Sequence, residues 1–383
     1  MIRIQEVQSK QEWRAFAGFA NKLYRKNPYY VPELPGDVID NYNPKKNPAY
    51  DFCESICFLA YDDTEVVGRI AGIINRKSNE KWQQSHCRFS HFDFTDNPVV
   101  SKALVDAVKA WAKSRGLTHL KGPLGMTDLD HQGMLIEGFE EQDMFITFYN
   151  APYYAKHMQA MGFEKDADWL EYQITMPAET DAKVDFIRKM AVKVGKRHGF
   201  KLLHFRSKKK LVKEWGKKIF ELYNSAYAPL YGVTSLTDRQ ANYYIKTFLS
   251  FVNPDFIKIA VDSEMRIVAF GVALPSLSKA LQKCGGKLFP FGIFYLLHAI
   301  YFNDILDLYL VGVLPQYQNT GVNALLMDAI LKECHKYKIK IAETGPTLEN
   351  NLKIQAMWKH FDRRQHRRRR SWICPIDLSD ILN

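Results

Sequence analysis

No stretch of the 383-residue chain reaches the ~18 consecutive apolar residues a membrane-spanning helix needs. Nor does it open on a leader. Met1-Ile2-Arg3-Ile4 runs straight into an amphipathic segment, so a cytoplasmic protein is expected, with a peripheral place on the inner membrane as the alternative. The six cysteines have no zinc-like spacing, because Cys53-x3-Cys57 lacks a second pair. No metal site is expected, and the cysteines read as reduced thiols. No glycine-rich dinucleotide loop follows an early strand, which argues against a Rossmann domain. Acidic residues are the minority charge, 42 against 53 Lys and Arg, for a net +11. That excess favours an anionic partner: a phosphorylated cofactor, a membrane surface or nucleic acid.

What the chain does carry is an internal duplication. FLAYDDTEVVGRIAGII around residue 58 is matched by IKIAVDSEMRIVAFGVAL around residue 257. Ala60 and Asp62 recur as Ala260 and Asp262, and Leu23-Tyr24 recurs as Leu222-Tyr223. Ala103-Leu104 through Gly122-Pro123 recurs as Ala324-Leu325 through Gly345-Pro346. The offset grows between these matches, which places an insertion of about twenty residues in the second copy, at about 285–303. So long a period marks a duplicated domain rather than a solenoid. The boundary falls near Pro177, giving domains 1–178 and 179–383.

Hydrophobic periodicity gives each half the order β, α, β-hairpin, β, α, β, α, β. Residues 28–50, rich in Pro, Asn and Tyr, read as an extended loop. In the second half the spacing predicts helices near Asp238–Phe251 and Glu349–Phe361 and a last strand at Ser371–Ile376. Strand–helix alternation argues an α/β fold with a mixed sheet.

Between the strand Leu306–Leu314 and the helix from Val322 lies Gln318-Asn319-Thr320-Gly321. Backbone N–H groups at such a helix start form a pyrophosphate site, and Gly321 would let the backbone approach the phosphates without a Cβ clash. The alternative is a glycine used only for turning. This segment resembles the acyl-CoA N-acyltransferase superfamily called GNAT, whose pattern here is Gln/Arg-x-x-Gly-x-Gly/Ala. Gln318 and Gly321 fit, and Asn323 departs from it. The resemblance implies a tandem duplication of the GNAT fold. It also implies acyl-CoA or coenzyme A as co-substrate, held by Val313, Leu314, Gln318, Asn319, Thr320, Gly321, Val322, Asn323 and Asn351. The superfamily's tyrosine, seven residues after its Asn, is Trp358 here. In the first half His157 holds that position, and Asp93-Phe-Thr-Asp-Asn-Pro98 replaces the cofactor loop with an acidic turn. More narrowly, Gly122-Pro123, Gly138-Phe139 and Asn150-Ala-Pro-Tyr153-Tyr154 resemble large double-domain bacterial GNAT proteins. Some of these are similar to bacterial ceramide synthases, which join a fatty acyl group to a sphingoid amine.

The insertion, Lys287 to Phe302, is almost wholly apolar. It reads as a wall for an acyl chain, a segment dipping into a membrane interface, or a helix packed on a neighbouring domain. Arg363 to Arg370 reads as a phosphate, lipid-headgroup or nucleic-acid contact, or as a solvated turn.

An amine attacking a thioester must lose a proton. Candidates are Glu343 at a strand end, His360, and His131 with Asp128, which would reach across a domain interface. Oxyanion donors would come from the strand edge near Val313 and Leu314. The leading expectation is an acyl-CoA-dependent N-acyltransferase acting on a small-molecule or lipid amine, its donor carried on coenzyme A or an acyl carrier protein. A non-catalytic acyl-CoA-binding GNAT-fold protein is second. A basic nucleic-acid-associated regulator is third, and the missing recognition helix and stacking aromatics make nucleic acid the weakest partner.

Overall fold

The computed structural model describes residues 1–205, 207–249 and 252–377. In chain order, β1 (Ile2–Glu6) leads to α1 (Lys10–Leu23) and α2 (Pro35–Asn41). The hairpin β2 (Cys53–Asp62) and β3 (Glu65–Asn75) is followed by α3 (Arg76–Lys81), β4 (His86–Phe94), α4 (Pro98–Lys113) and β5 (His119–Gly122). Next come β6 (Met134–Glu137), α5 (Tyr153–Ala160) and β7 (Glu164–Thr175). The second round has α6 (Ala182–His198), β8 (Lys201–Leu203), α7 (Lys208–Tyr227), α8 (Asp238–Tyr244), β9 (Ile257–Val261) and β10 (Ile267–Pro275). α9 (Ser278–Cys284) leads into the insertion, which forms α10 (Gly292–Tyr301). The chain then runs through β11 (Ile305–Val313), α11 (Asn323–Lys336), β12 (Ile341–Thr344), β13 (Thr347–Leu348), α12 (Leu352–Met357) and β14 (Arg363–Pro375).

The chain forms two compact units, and their borders cross the sequence more than once. The first holds Met1–Leu170, Ser278–Tyr295 and residues 366–377; the second holds Glu171–Leu277 and Leu296–Gln365. So β7 begins in the first unit and ends in the second, and β14 does the reverse.

In the first unit the sheet runs β1-β2-β3-β4-β5-β14-β7. β4 and β5 pair in parallel and are joined through α4 as a parallel crossover requires. α1 starts on a capping box in which Ser9 accepts the Glu12 amide and Glu12 accepts back. Its inner stripe, Phe16, Ala17, Phe19 and Ala20, is buried. α4 lays Leu104, Val105, Val108 and Trp111 into the core with Phe89, Phe94 and Trp372. In the second unit the order is β14-β7-β12-β11-β10-β9-β8, and β11 with β12 is the parallel pair across α11. α6 and α11 close the core around Val194, Val322, Leu325 and Leu326.

Several expectations need correction. The stretch 28–50 is not all loop: Pro35 sits in the first turn of α2, where its missing N–H costs nothing. α8 stops at Tyr244 and gives way to a π turn, Ile245–Leu249; Phe251 lies outside the described residues. α12 has one and a half turns rather than the full Glu349–Phe361 span. β14 starts at Arg363, not Ser371, so the arginine run lies inside a strand.

Candidate functional site

β11 has two different edges. Its ladder to β12 pairs Ile305 with Ile341 and ends at Leu308 with Thr344, followed by a last link from the Gly345 N–H to the Leu308 carbonyl at 3.1 Å. The ladder to β10 continues as far as Val313 but slips at Val272/Ala273, so Tyr309 forms a bulge. Beyond the bulge β11 has therefore left β12. The Leu314 N–H is committed to the Val268 carbonyl at 3.0 Å. Strand alternation then turns the amides of Val311 and Val313 to the side β12 has left. Tyr227, at the end of α7, meets that edge: its hydroxyl donates to the Val311 carbonyl at 3.0 Å and accepts the Val311 N–H at 3.4 Å.

Past β11 a short 3-10 turn, Pro315–Tyr317, is pinned by Tyr317 Oη donating to Asp262 Oδ2 at 3.2 Å. Asn319 and Gly321 then take positive φ, +67° and +85°. A Cβ on Gly321 would also come within 3.0 Å of Val194 on α6, so both conformation and space favour glycine. Val322, the residue before α11, makes no capping hydrogen bond through its side chain. Among the described residues the N–H groups of Asn319, Gly321, Val322 and Asn323 meet no protein acceptor. Three consecutive amides, with that of Asn319 close by, at the positive end of a fourteen-residue helix make a site for an anion. The residues present fit a pyrophosphate.

α12 flanks the loop. Lys353 Nζ donates to Gln318 Oε1 at 3.0 Å, and Asn323 Nδ2 lies 3.7 Å from the Met357 sulfur. Asn323 Oδ1 is buried with no partner among the described residues. The Thr320 hydroxyl is spent on the Tyr317 carbonyl at 2.7 Å. Asn351 caps α12, accepting the Ile354 N–H at 3.4 Å.

The corresponding position in the first unit is filled. β4 and β5 part after Arg88 and Lys121, and β4 is likewise bulged, with His91 at φ +42°. There the chain itself closes the gap: the Leu124 N–H donates to the Phe89 carbonyl at 2.8 Å. Tyr153 Oη donates to the Phe94 carbonyl at 2.5 Å, and Tyr154 Oη accepts the Phe94 N–H at 3.0 Å. The start of α4 is capped by Asn97, which accepts the Val99 N–H at 2.9 Å, and Asp96 Oδ1 lies 2.9 Å from His157 Nε2.

The sequence-predicted candidates separate. Glu343 lies on β12 in the second unit, 6% exposed, accepting from Gln173 Nε2 at 3.2 Å. Gln173 Oε1 in turn accepts from Arg364 at 2.9 and 3.0 Å. Glu343 is in register with Asp307 on β11, which is fully buried, so two carboxylates sit side by side one residue short of where the strands part. His360 is exposed in the turn after α12. His131 and Asp128 belong to the first unit. The His131 ring packs edge-on to Phe148 at 4.8 Å. Burial, with the Arg369 guanidinium second, depresses its pKa to about 4, so it is neutral and weakly basic near pH 7. Sequence reasoning missed Tyr227 and Asp307. An acid inside the apolar run Ile305-Leu-Asp-Leu-Tyr was a usable signal; Tyr227 had none.

The arginine run is structural. Arg367 and Arg369 are 1% and 0% exposed. Arg369 pairs with Asp143 at 2.8 Å and donates to the Phe148 carbonyl, and Arg367 donates to the Gln142 carbonyl. On the other face Arg368 and Arg370 converge on the buried Asp168, at 2.7 Å and at 2.8 and 3.0 Å. Burial alone would raise that carboxyl, but the two guanidiniums outweigh it and hold it below the usual range. Neither a phosphate clamp nor a solvated turn describes this strand, and the nucleic-acid reading loses its arginines.

Two solved structures align along nearly the whole chain. A tandem GNAT protein from the clavulanic acid biosynthesis pathway superposes with TM-score 0.57 at 11% identity, covering 98% of this chain and 99% of its own. A GCN5-related N-acetyltransferase from Sphaerobacter thermophilus gives 0.53 at 10% identity, covering 98% and 96%. The chain has the tandem GNAT fold. Among curated proteins, Protein YghO of Escherichia coli K12 is 26% identical over 368 residues, 94% of this chain and 92% of that protein. Bacterial ceramide synthase of Caulobacter vibrioides is 24% identical over 330 residues, 85% and 84%. No family model matches the chain.

Proposed function

We propose that the chain is an acyl-CoA-dependent N-acyltransferase whose donor binds the second unit. The observation that carries this reading is the group of four unanswered amides, Asn319 and Gly321 to Asn323, at the opening of α11. The donor's diphosphate would take those amides, with Lys353 beside Gln318 adding positive charge. The thioester would lie along β11, and its carbonyl oxygen would accept from the Val311 or Val313 N–H as charge develops. Glu343, directly or through a water, would take the proton from the attacking amine. The amine nitrogen bonds to the carbonyl carbon and the C–S bond breaks. The thiolate then takes a proton, for which Tyr227 is the hydroxyl at hand. The products are an amide and free thiol. A donor carried on an acyl carrier protein would present the same phosphopantetheine arm. Domain 1–178 would serve as a GNAT-like partner without its own donor loop.

For the acceptor, the likeness to bacterial ceramide synthase supports a lipid amine with a long-chain donor. Calorimetric titration of coenzyme A tests the site, and thiol release from long-chain acyl-CoA with sphingoid and small amines tests the reaction. Glu343→Gln is expected to slow turnover by about 10²–10⁴ while leaving coenzyme A affinity intact. His131→Asn and His360→Asn should leave turnover near wild type. Absence of coenzyme A binding by the wild-type chain would remove the proposal. The second reading, a non-catalytic acyl-CoA-binding protein, is favoured by Trp358: an indole N–H, here without a partner among the described residues, cannot reprotonate a thiolate. Coenzyme A binding without thiol release for any amine would select it.

A further inference from the structure

The insertion carries an outward face that no described part of the chain covers. On α10 the inner stripe, Gly292, Ile293, Leu296, Ala299 and Ile300, is buried or half-buried. The outer stripe and its flanks are apolar and exposed: Phe289 80%, Phe291 67%, Phe294 65%, Tyr301 57% and Phe302 71%. Large aromatic side chains clustered in one exposed segment mark an interaction surface rather than scattered surface apolarity.

Charge identifies the occupant. No Asp or Glu occurs between Glu264 and Asp304, while Lys279, Lys283 and Lys287 recur at four-residue spacing and are all exposed. Lys279 and Lys283 share one face of α9, and Lys287 follows in the connection to α10. The base of this hairpin is fixed. Gln282 Nε2 donates to the Pro28 and Tyr30 carbonyls at 2.8 and 2.9 Å, and Gly286 packs so close to the Glu33 carbonyl that a Cβ would lie 2.3 Å from it. An aromatic tip on a firm base, beside a lysine row free of acids, matches the interface of a bilayer with anionic headgroups. The rings sit at the acyl boundary and the lysines at the phosphates. No described helix is long and apolar enough to cross a membrane, so the contact is peripheral.

We propose that the α9–α10 hairpin docks the protein on the surface of an anionic bilayer. This does not rest on the transferase reading, and its test needs no turnover. The full chain is floated with vesicles of phosphatidylglycerol and phosphatidylcholine, and with phosphatidylcholine alone. Wild type is expected to float with the mixed vesicles and to bind pure phosphatidylcholine at least about tenfold more weakly. Phe291→Ser with Phe294→Ser and Phe302→Ser should abolish flotation. Lys279→Glu with Lys283→Glu and Lys287→Glu should reduce it about tenfold or more. Both variants should keep wild-type melting temperature and coenzyme A affinity, since none of these residues lies in the α11 loop. Failure of wild type to float with mixed vesicles overturns the proposal. So does undiminished flotation of the aromatic variant, or a wild-type dimer in sedimentation that this variant dissolves, which would assign the face to a second copy.

Discussion

Single residues in the first unit carry charges that have no access to water. Arg69 is fully buried between Glu33 at 2.6 Å and Asp93 at 2.7 Å, and its third group donates to the Phe16 carbonyl at 2.9 Å. Arg369 and Asp143 repeat the arrangement. Breaking such a pair from one side leaves a lone buried charge and costs about 3–5 kcal/mol. Arg369→Met should therefore lower unfolding free energy by about that amount in urea titrations. Lys→Glu changes on the exposed α9 face should leave it within about 0.5 kcal/mol. His131 gives a pH signature. Its folded pKa of about 4 lies below the ~6.5 of an unfolded histidine, so between those values the unfolded chain holds one more proton at this site. Stability should rise with pH across that window, and His131→Asn should remove about 1.4 kcal/mol per pH unit from the slope. Equal slopes in both proteins would show that the ring is not buried neutral. None of these charges was legible as core. Asp143 and Asp168 lie two hundred or more positions from the arginines they meet, and alternation of buried and half-buried arginine looks locally like a charged turn.

Elements were easier to read than their ends. The hairpins, the crossover helices and the loop before α11 follow from periodicity and from glycine placement. α2 was hidden by its Pro-Gly-Asp start, and the strand in Arg363–Arg370 by its charge. The contrast between α4 and α11 shows what one capping residue decides. Asn97 caps the start of α4, whereas among the described residues no side chain caps α11. Asn97→Ala should cost about 0.5–2 kcal/mol of stability with no change in coenzyme A binding. Gly321→Val should act the other way. Forced out of φ +85° and against Val194, the loop should lose at least about tenfold in coenzyme A affinity by calorimetry, with a smaller loss of stability. The rest of the site could not be read from sequence. Asp307 beside Glu343 depends on strand register, and Tyr227 on β11 depends on tertiary packing.

At the scale of the molecule, the duplicated order of elements and the mixed sheets agree with the reading from sequence. The division of the chain into compact units does not run along a single cut. β14 brings Arg367, Arg369 and Trp372 into the first unit, and the end of β7 pairs with β12 in the second, Thr175 against Ile341. Ending the chain at Gln365 should therefore unfold the first unit rather than trim a tail. Limited proteolysis should then cut preferentially between residues 1 and 170. Preferential cleavage in 171–365 would contradict this.

That exchange also orders events during synthesis. The edge of β5 that receives β14 ends at Gly122, and its partner strand starts only at Arg363. At ~5–20 residues per second, the interval between them is on the order of 10–50 s. Through that time the nascent first unit displays an open strand edge, and Asp143 and Asp168 wait for the arginines of β14.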